Sequence, residues 1–220
     1  MDSPTMEPTQ PTGWRALFRP RVLDRAEQVG ISVLWCWLVY RVVHAVQLHE
    51  APPWALLVLV AETSVLFFTL IRRPTDQISV NPRDWALACA ATFLPLLVQT
   101  SDNAAPALVT AAVLLIIAGN CFQIMAKLFL RRSFGLAPAN RGIKVDGPYR
   151  WVRHPMYAGY FVVHVGNVIL FPLWINAALY VASWTVQIMR LLAEERLLSQ
   201  DPAYAAYMQK VRWRLIPGVF

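Results

Sequence analysis

Long apolar runs separated by short basic or proline-containing breaks organise this chain. The runs at about Val29–Leu48 and Trp54–Ile71 are near the ~20 residues that a helix needs to cross a bilayer core, and with about Trp85–Gln99 and Ala107–Leu130 they predict four membrane helices. Two shorter runs, Tyr157–Phe171 and Ile175–Met189, flank Pro172-Leu173-Trp174 and predict a helix hairpin. The breaks alternate in charge. Glu50-Ala51-Pro52-Pro53 and Thr100–Pro106 contain no Lys or Arg, whereas Arg72, Arg73 and Arg83, the stretch Arg131–Lys144, and Arg190 with the tail are basic. With Arg15, Arg19, Arg21 and Arg25 ahead of the first run, the positive-inside rule predicts six crossings with both termini in the cytoplasm. The last run continues as the amphipathic Arg190–Leu198. Asp201-Pro202 breaks it, and Ala203–Val211 predicts a short helix carrying Tyr204 and Tyr207 one turn apart. The expected fold is an all-α, polytopic transmembrane helical bundle with a cytoplasmic-face site built from loops and the C-terminal helical segment. Its parts are a cytoplasmic N-terminal segment (1–28), four transmembrane helices (29–130), a cytoplasmic loop (131–156), a transmembrane helix hairpin (157–190) and a cytoplasmic C-terminal segment (191–220).

Composition supports a membrane protein. Of the 220 residues 57% are hydrophobic and only 15% charged, with nine tryptophans and a mean hydropathy of +0.42, which is too apolar for an ordinary soluble domain. The net charge of +7 comes from Lys and Arg beside apolar runs, a pattern of membrane topology rather than of nucleic-acid binding. Cys36, Cys89 and Cys121 lie inside apolar runs without disulfide or metal-ligand spacing and read as buried small hydrophobes. Residues 1–13, with Pro4, Pro8, Pro11 and Gly13, are expected to be disordered and show no signal-peptide pattern.

Several polar residues interrupt the apolar runs. Arg41 and Glu62 reach similar depth in an antiparallel helix pair and predict an ion pair, because an unpaired charge there is costly. Asn120, Gln123 and Lys127 make a stripe that suits either interhelical hydrogen bonds or the wall of a cavity. His164 and Asn167 continue one helical face from Tyr157 and Tyr160, suiting either a buried substrate path or interhelical packing; His44 carries no further signal. The densest chemistry lies in Gly147–Gly159. Gly147-Pro148 signals a turn, while Pro155 biases His154 away from helical geometry and opens a helix itself. His154 is therefore expected just outside a helix N-terminus, where unpaired N–H groups, the dipole, Arg150 and Arg153 favour an anionic group. A basic membrane-edge turn touching lipid headgroups fits the same pattern. Gln187, Arg190 and Glu194 share a helical face, either as a surface pair or as a cation and carboxylate delivered to the pocket of His154.

The RHPxYxG string Arg153–Gly159, preceded by Gly147-Pro148-Tyr149, and Glu194-Glu195-Arg196-Leu197-Leu198, followed by Tyr204, Tyr207 and Arg214-Leu215-Ile216-Pro217, resemble one superfamily. It is that of the isoprenylcysteine carboxyl methyltransferases and phospholipid methyltransferases, and the resemblance covers roughly residues 119–220. It implies an integral membrane enzyme that uses S-adenosylmethionine at the cytoplasmic face. It further implies that Arg141, Gly142, Ile143 and Lys144 lie on a loop contacting the cofactor, with Tyr149, His154, Pro155, Met156 and Tyr157 forming its pocket. Glu194 would bind the cofactor as well, and Arg190 the acceptor. The chemistry agrees: an acceptor-only carboxylate suits a ribose diol, His154 a cofactor carboxylate, and the faces of Tyr149, Trp151 or Tyr157 a sulfonium. No GxGxxG string follows a predicted strand, so a soluble Rossmann-type site is not supported. The implied acceptor is a lipid-like or isoprenoid molecule, a carboxylate being favoured, that enters from the membrane; no metal, nucleic acid or obligate protein partner is expected. Membrane sterol reductases, which bind a nicotinamide cofactor in a similar C-terminal architecture, and a non-catalytic lipid-binding protein are the alternatives. The EExxL form fits the methyltransferases better.

Overall fold

The computed structural model describes residues 19–49 and 56–220; the expected disorder of residues 1–13 and the turn Glu50–Pro53 lie outside them. The described residues form seven α-helices: α1 (Pro20–Gln47), α2 (Leu57–Ile71), α3 (Pro82–Phe93), α4 (Pro106–Leu130), α5 (Pro155–Leu170), α6 (Trp174–Leu198) and α7 (Pro202–Lys210). Among them no strand forms, only an isolated antiparallel bridge between Ile78 and Ala139. Five of these helices open on a proline, whose missing N–H would have had no intrahelical acceptor there. Helix α1 begins at Pro20, well before the expected Val29, because Asp24 and Glu27 find buried cationic partners instead of water. The third run is helical only to Phe93 and tightens into a 3-10 turn, Leu94–Leu97, across Pro95, whose ring cannot continue an α-helical ladder. Asp201 caps α7 by accepting from the Ala203 N–H at 2.8 Å.

Helices α4 and α5 meet at backbone contact. Ala112, Gly119 and Ala126 recur at heptad spacing on α4, opposite Gly159 and Gly166 on α5. A Cβ on Gly119 would stand 2.8 Å from the Gly159 carbonyl oxygen and the Val163 nitrogen, and one on Gly166 would stand 2.8 Å from the Ala112 carbonyl oxygen. Small residues thus set the approach. The pairs α1–α2 and α3–α6 add polar ties. Trp35 Nε1 donates to Thr63 Oγ1 at 3.0 Å, and Gln28 Nε2 donates to the Thr69 carbonyl at 3.0 Å. Buried Asn176 exchanges hydrogen bonds with the Gln99 backbone at 2.9 and 2.8 Å, satisfying groups that the interrupted third helix leaves open.

Burial is inverted relative to a soluble bundle. Asp24, Glu27, Arg72, Lys127 and Arg141 are inside, while Val33, Trp37, Tyr40, Phe67, Leu114 and Val181 face outward. By length and composition, α1 and the stretch Pro106–Ser133 are the two described helices able to cross a membrane; the helical stretch Leu59–Ile71 and α5 are apolar but shorter. Two expectations are corrected. Cys36, Cys89 and Cys121 are exposed on outer faces, since an apolar sequence neighbourhood does not separate an inner face from an apolar outer one. Arg41 is also exposed, 5.4 Å from the Trp37 ring, and Glu62 has Lys127 of α4 as its electrostatic partner. Equal depth fixes height along two helices but not rotation about their axes.

Candidate functional site

The loop after α4 is held from beneath by a buried ionic cluster. Asp24 Oδ1 takes Arg72 Nη2 at 2.8 Å and Arg141 Nη2 at 2.7 Å, and Arg141 Nη1 donates to the Arg73 carbonyl at 3.1 Å. Glu27 binds Arg72 and accepts the Leu136 N–H at 2.7 Å. From the opposite side Arg190 donates Nε and Nη2 to the Leu136 carbonyl at 3.0 and 2.6 Å. The N–H and C=O of one loop residue, Leu136, are therefore gripped by α1 and α6 respectively. The loop then alternates: Ser133, Gly135, Ala137 and Ala139 line one cleft, while Phe134 and Leu136 line a second cavity on the other side. This strap divides the two spaces.

A second hub is Glu195, which is buried. The Arg153 and His154 N–H groups donate to the Trp213 and Arg214 carbonyls at 2.9 Å each, drawing the tail against the motif. His154 occupies the N-cap position of α5 outside helical geometry, as its proline neighbour favours, and makes no capping bond with its side chain. Glu195 Oε1 meets His154 Nε2 at 3.1 Å and Arg153 Nε at 2.9 Å, and Oε2 accepts from Arg214 Nε at 2.8 Å. Burial works to raise the Glu195 carboxyl, but the hydrogen bonds from His154 and Arg214 and the adjacent charges outweigh it and hold it below the ordinary value. Around this hub Tyr157 Oη donates to Glu194 Oε2 at 3.2 Å and Tyr207 Oη donates to the Tyr149 carbonyl at 2.6 Å. Burial pushes the Tyr149, Tyr204 and Tyr207 hydroxyls up, so they stay neutral donors. The Tyr204 hydroxyl is buried with no partner among the described residues.

Nine of the expected pocket residues line a single cleft: Arg141, Gly142, Ile143, Lys144, Tyr149, His154, Met156, Tyr157 and Glu194. Pro155 lies beneath it, buried at the start of α5. Trp151 does not join: it is 68% exposed and absent from the cleft wall, which corrects its expected place beside a sulfonium. Arg190 lies across the strap, buried in the wall of the second cavity with its guanidinium 5.6 Å from the Tyr157 ring. It forms no surface pair with Glu194, because a buried carbonyl needing a donor outweighs a solvent-screened helix pair. The second cavity, about 350 Å³, is lined by residues of α1 to α6 and bordered by Met156, which also lines the cleft. The stripe on α4 serves both expected roles. Lys127 Nζ donates to Gln123 Oε1 and Ser64 Oγ, both at 3.0 Å, Gln123 Nε2 donates to Asn120 Oδ1 at 2.7 Å, and Asn120 and Gln123 line the cavity.

Residues 111–200 match the isoprenylcysteine carboxyl methyltransferase (ICMT) family. The resemblance read from the two motifs is shown over this stretch, which runs from α4 through the loop and the RHPxYxG string to the end of α6. The family is one of membrane methyltransferases. Comparison with curated proteins returned no match. Within the ICMT-like stretch lie nearly all of the cleft wall and both sides of the strap, whereas Tyr204, Tyr207 and Arg214 lie beyond it and Asp24, Glu27 and Arg72 ahead of it. Sequence reasoning passed over Glu195 as a hub and the α1 carboxylates as loop anchors. Their signals were the second Glu of the doublet and two acids within an otherwise basic N-terminal segment.

Proposed function

We propose that the protein is a multi-pass membrane methyltransferase that uses S-adenosylmethionine and methylates a carboxylate on a lipid-like acceptor at the cytoplasmic face. The observation that carries this reading is the meeting of two unlike spaces at Met156: a loop-walled cleft that gathers charged and hydroxyl-bearing side chains, and a cavity lined by the helices. A water-soluble donor and a membrane-borne acceptor need such a junction. Embedding is supported by the apolar outer faces of the helices and by basic breaks confined to alternate connections.

The cleft's donor set fits the cofactor. S-adenosylmethionine would supply a methyl group made electrophilic by a sulfonium. Arg153 and Arg214 outnumber the single Glu195 carboxylate between them, so the hub retains positive charge that suits the cofactor's carboxylate, with the unpartnered Tyr204 hydroxyl nearby. Glu194 keeps Oε1 for a diol, since the Tyr157 hydroxyl occupies Oε2. The faces of Tyr149 and Tyr157 favour a cation. A carboxylate acceptor requires no general base, so the chain's task is to align it and exclude water. Arg190, fixed at the junction by Leu136, holds the acceptor's charge there with the guanidinium edge not used by that carbonyl. Calorimetry on the protein in nanodiscs tests the cofactor: S-adenosylmethionine binds, and His154→Ala and Glu194→Ala each weaken it about tenfold or more, as for one charge-assisted hydrogen bond. Unchanged affinity in a well-folded double variant, or binding of NADPH in its place, overturns the assignment.

A further inference from the structure

The second cavity is walled mainly by apolar side chains, but hydrogen-bonding groups recur along its height, which a hydrocarbon chain does not require. On α5 the residues facing it are Met156, Tyr160, Val163, His164 and Asn167, one face followed for about 16 Å at 1.5 Å per residue, with Phe171 just beyond the helix end. Hydrogen-bonding side chains stand on this face from one turn above Met156 to about 16 Å above it. Glu62, Asn120, Gln123 and Gln187 answer them from α2, α4 and α6.

Several of these groups lack partners. His164 is 8% exposed and its Nδ1 is buried with none, the ring packing against Tyr180 at 4.6 Å and Trp184 at 5.9 Å. Gln187 is 4% exposed; its Nε2 makes one long bond to the Ala91 carbonyl at 3.4 Å and its Oε1 has no partner. Neither the Glu62 carboxylate nor the Tyr160 hydroxyl has a hydrogen-bond partner among the described residues, although both lie near the Lys127 ammonium. The His164 and Gln187 atoms are buried and costly unless something bonds them, while Glu62 and Tyr160 are half-buried at the cavity wall. A saturated or prenyl chain would leave every one of them unpaired, whereas hydroxyl groups donate to Gln187 Oε1 or Glu62 and either donate to or accept from His164.

We infer that this cavity selects an oxygenated lipid acid: a chain whose carboxylate lies at the Arg190–Met156 junction and which carries hydroxyl groups at the depth of Gln187 and His164. The inference rests on the methyltransferase reading for the role of the carboxylate, but not for recognition of the chain. Two probes of equal length test it, palmitic acid and its mid-chain hydroxylated counterpart, with the full protein in nanodiscs. Native mass spectrometry without cofactor reads binding, and labelled-methyl transfer from S-adenosylmethionine reads turnover. The hydroxylated probe is expected to bind and react at least about tenfold better, and Gln187→Leu and His164→Phe are each expected to bring its ratio to palmitic acid close to one. Because the readout is a ratio within one preparation, partial misfolding lowers both terms together. Selective binding of the hydroxylated probe without methyl transfer upholds the chain selectivity and overturns the methyltransferase reading. Transfer to both probes at equal rates, or a preference untouched by both substitutions, overturns the inference and leaves that reading intact.

Discussion

Glu195 gathers His154, Arg153 and Arg214 on one carboxylate, and this arrangement makes a definite prediction about pH. Its folded-state value lies below the ordinary 4.5, so the stability it contributes is complete above that value and is lost as pH falls through the depressed one. Glu195→Gln leaves two arginines without their counter-charge and is expected to cost about 3 kcal/mol near neutral pH, as for breaking a buried ion pair. The difference from the parent protein shrinks under acid. Unfolding measured in detergent across the acid range checks this; a pH-independent difference would show that the carboxylate's charge is not what stabilises the hub. At this scale the sequence was informative where a residue acts through its own type and position. His154 sits outside α5 as Pro155 requires, and Glu194 lines the cleft. It was silent where the partner is a backbone atom: nothing in the sequence marks the Leu136 carbonyl as the group that turns Arg190 away from Glu194.

Among the elements, the α4–α5 pair and the strap position the site. The RHPxYxG string is fixed at the foot of α5, and α5 is fixed to α4 by Gly119, Gly159 and Gly166. A Cβ on Gly159 would stand 2.8 Å from the Gln123 backbone nitrogen and 2.9 Å from the Gly119 carbonyl oxygen, atoms that cannot yield by a side-chain rotation. Gly159→Val is therefore expected to destabilise by about 1–3 kcal/mol. It should also widen the cleft, weakening cofactor binding although residue 159 does not line it. Denaturation in detergent together with calorimetry measures both, and a fully stable variant would contradict the packing. The helices were legible because proline starts and apolar runs mark them, as in α3, α4, α5 and α7. The start of α1 was not, because charged residues at a membrane edge read as solvated until Arg72 and Arg141 supply their partners from distant sequence.

For the whole molecule, the two spaces and their partition unite the observations. The cleft is built from loop 131–144, the foot of α5, the end of α6 and α7, while the cavity is built from the helices; only the strap and Met156 belong to the boundary. The C-terminal pattern carried the cleft because its residues recur in a short, recognisable spacing that the ICMT family match covers. The cavity was only half visible: the α4 stripe and the His164–Asn167 face suited a cavity or packing equally, and Glu62 and Gln187 could not be assigned to it until their rotation about each helix axis was known. The central claim, that this junction passes a methyl group to a membrane-borne carboxylate, is tested most directly by labelled-methyl transfer. The protein reconstituted with total lipid extract and methyl-labelled S-adenosylmethionine is predicted to produce a labelled lipid whose label is released by mild base, as expected of an ester. Label that stays on S-adenosylmethionine while the protein demonstrably binds it, or a product stable to base, would contradict that claim.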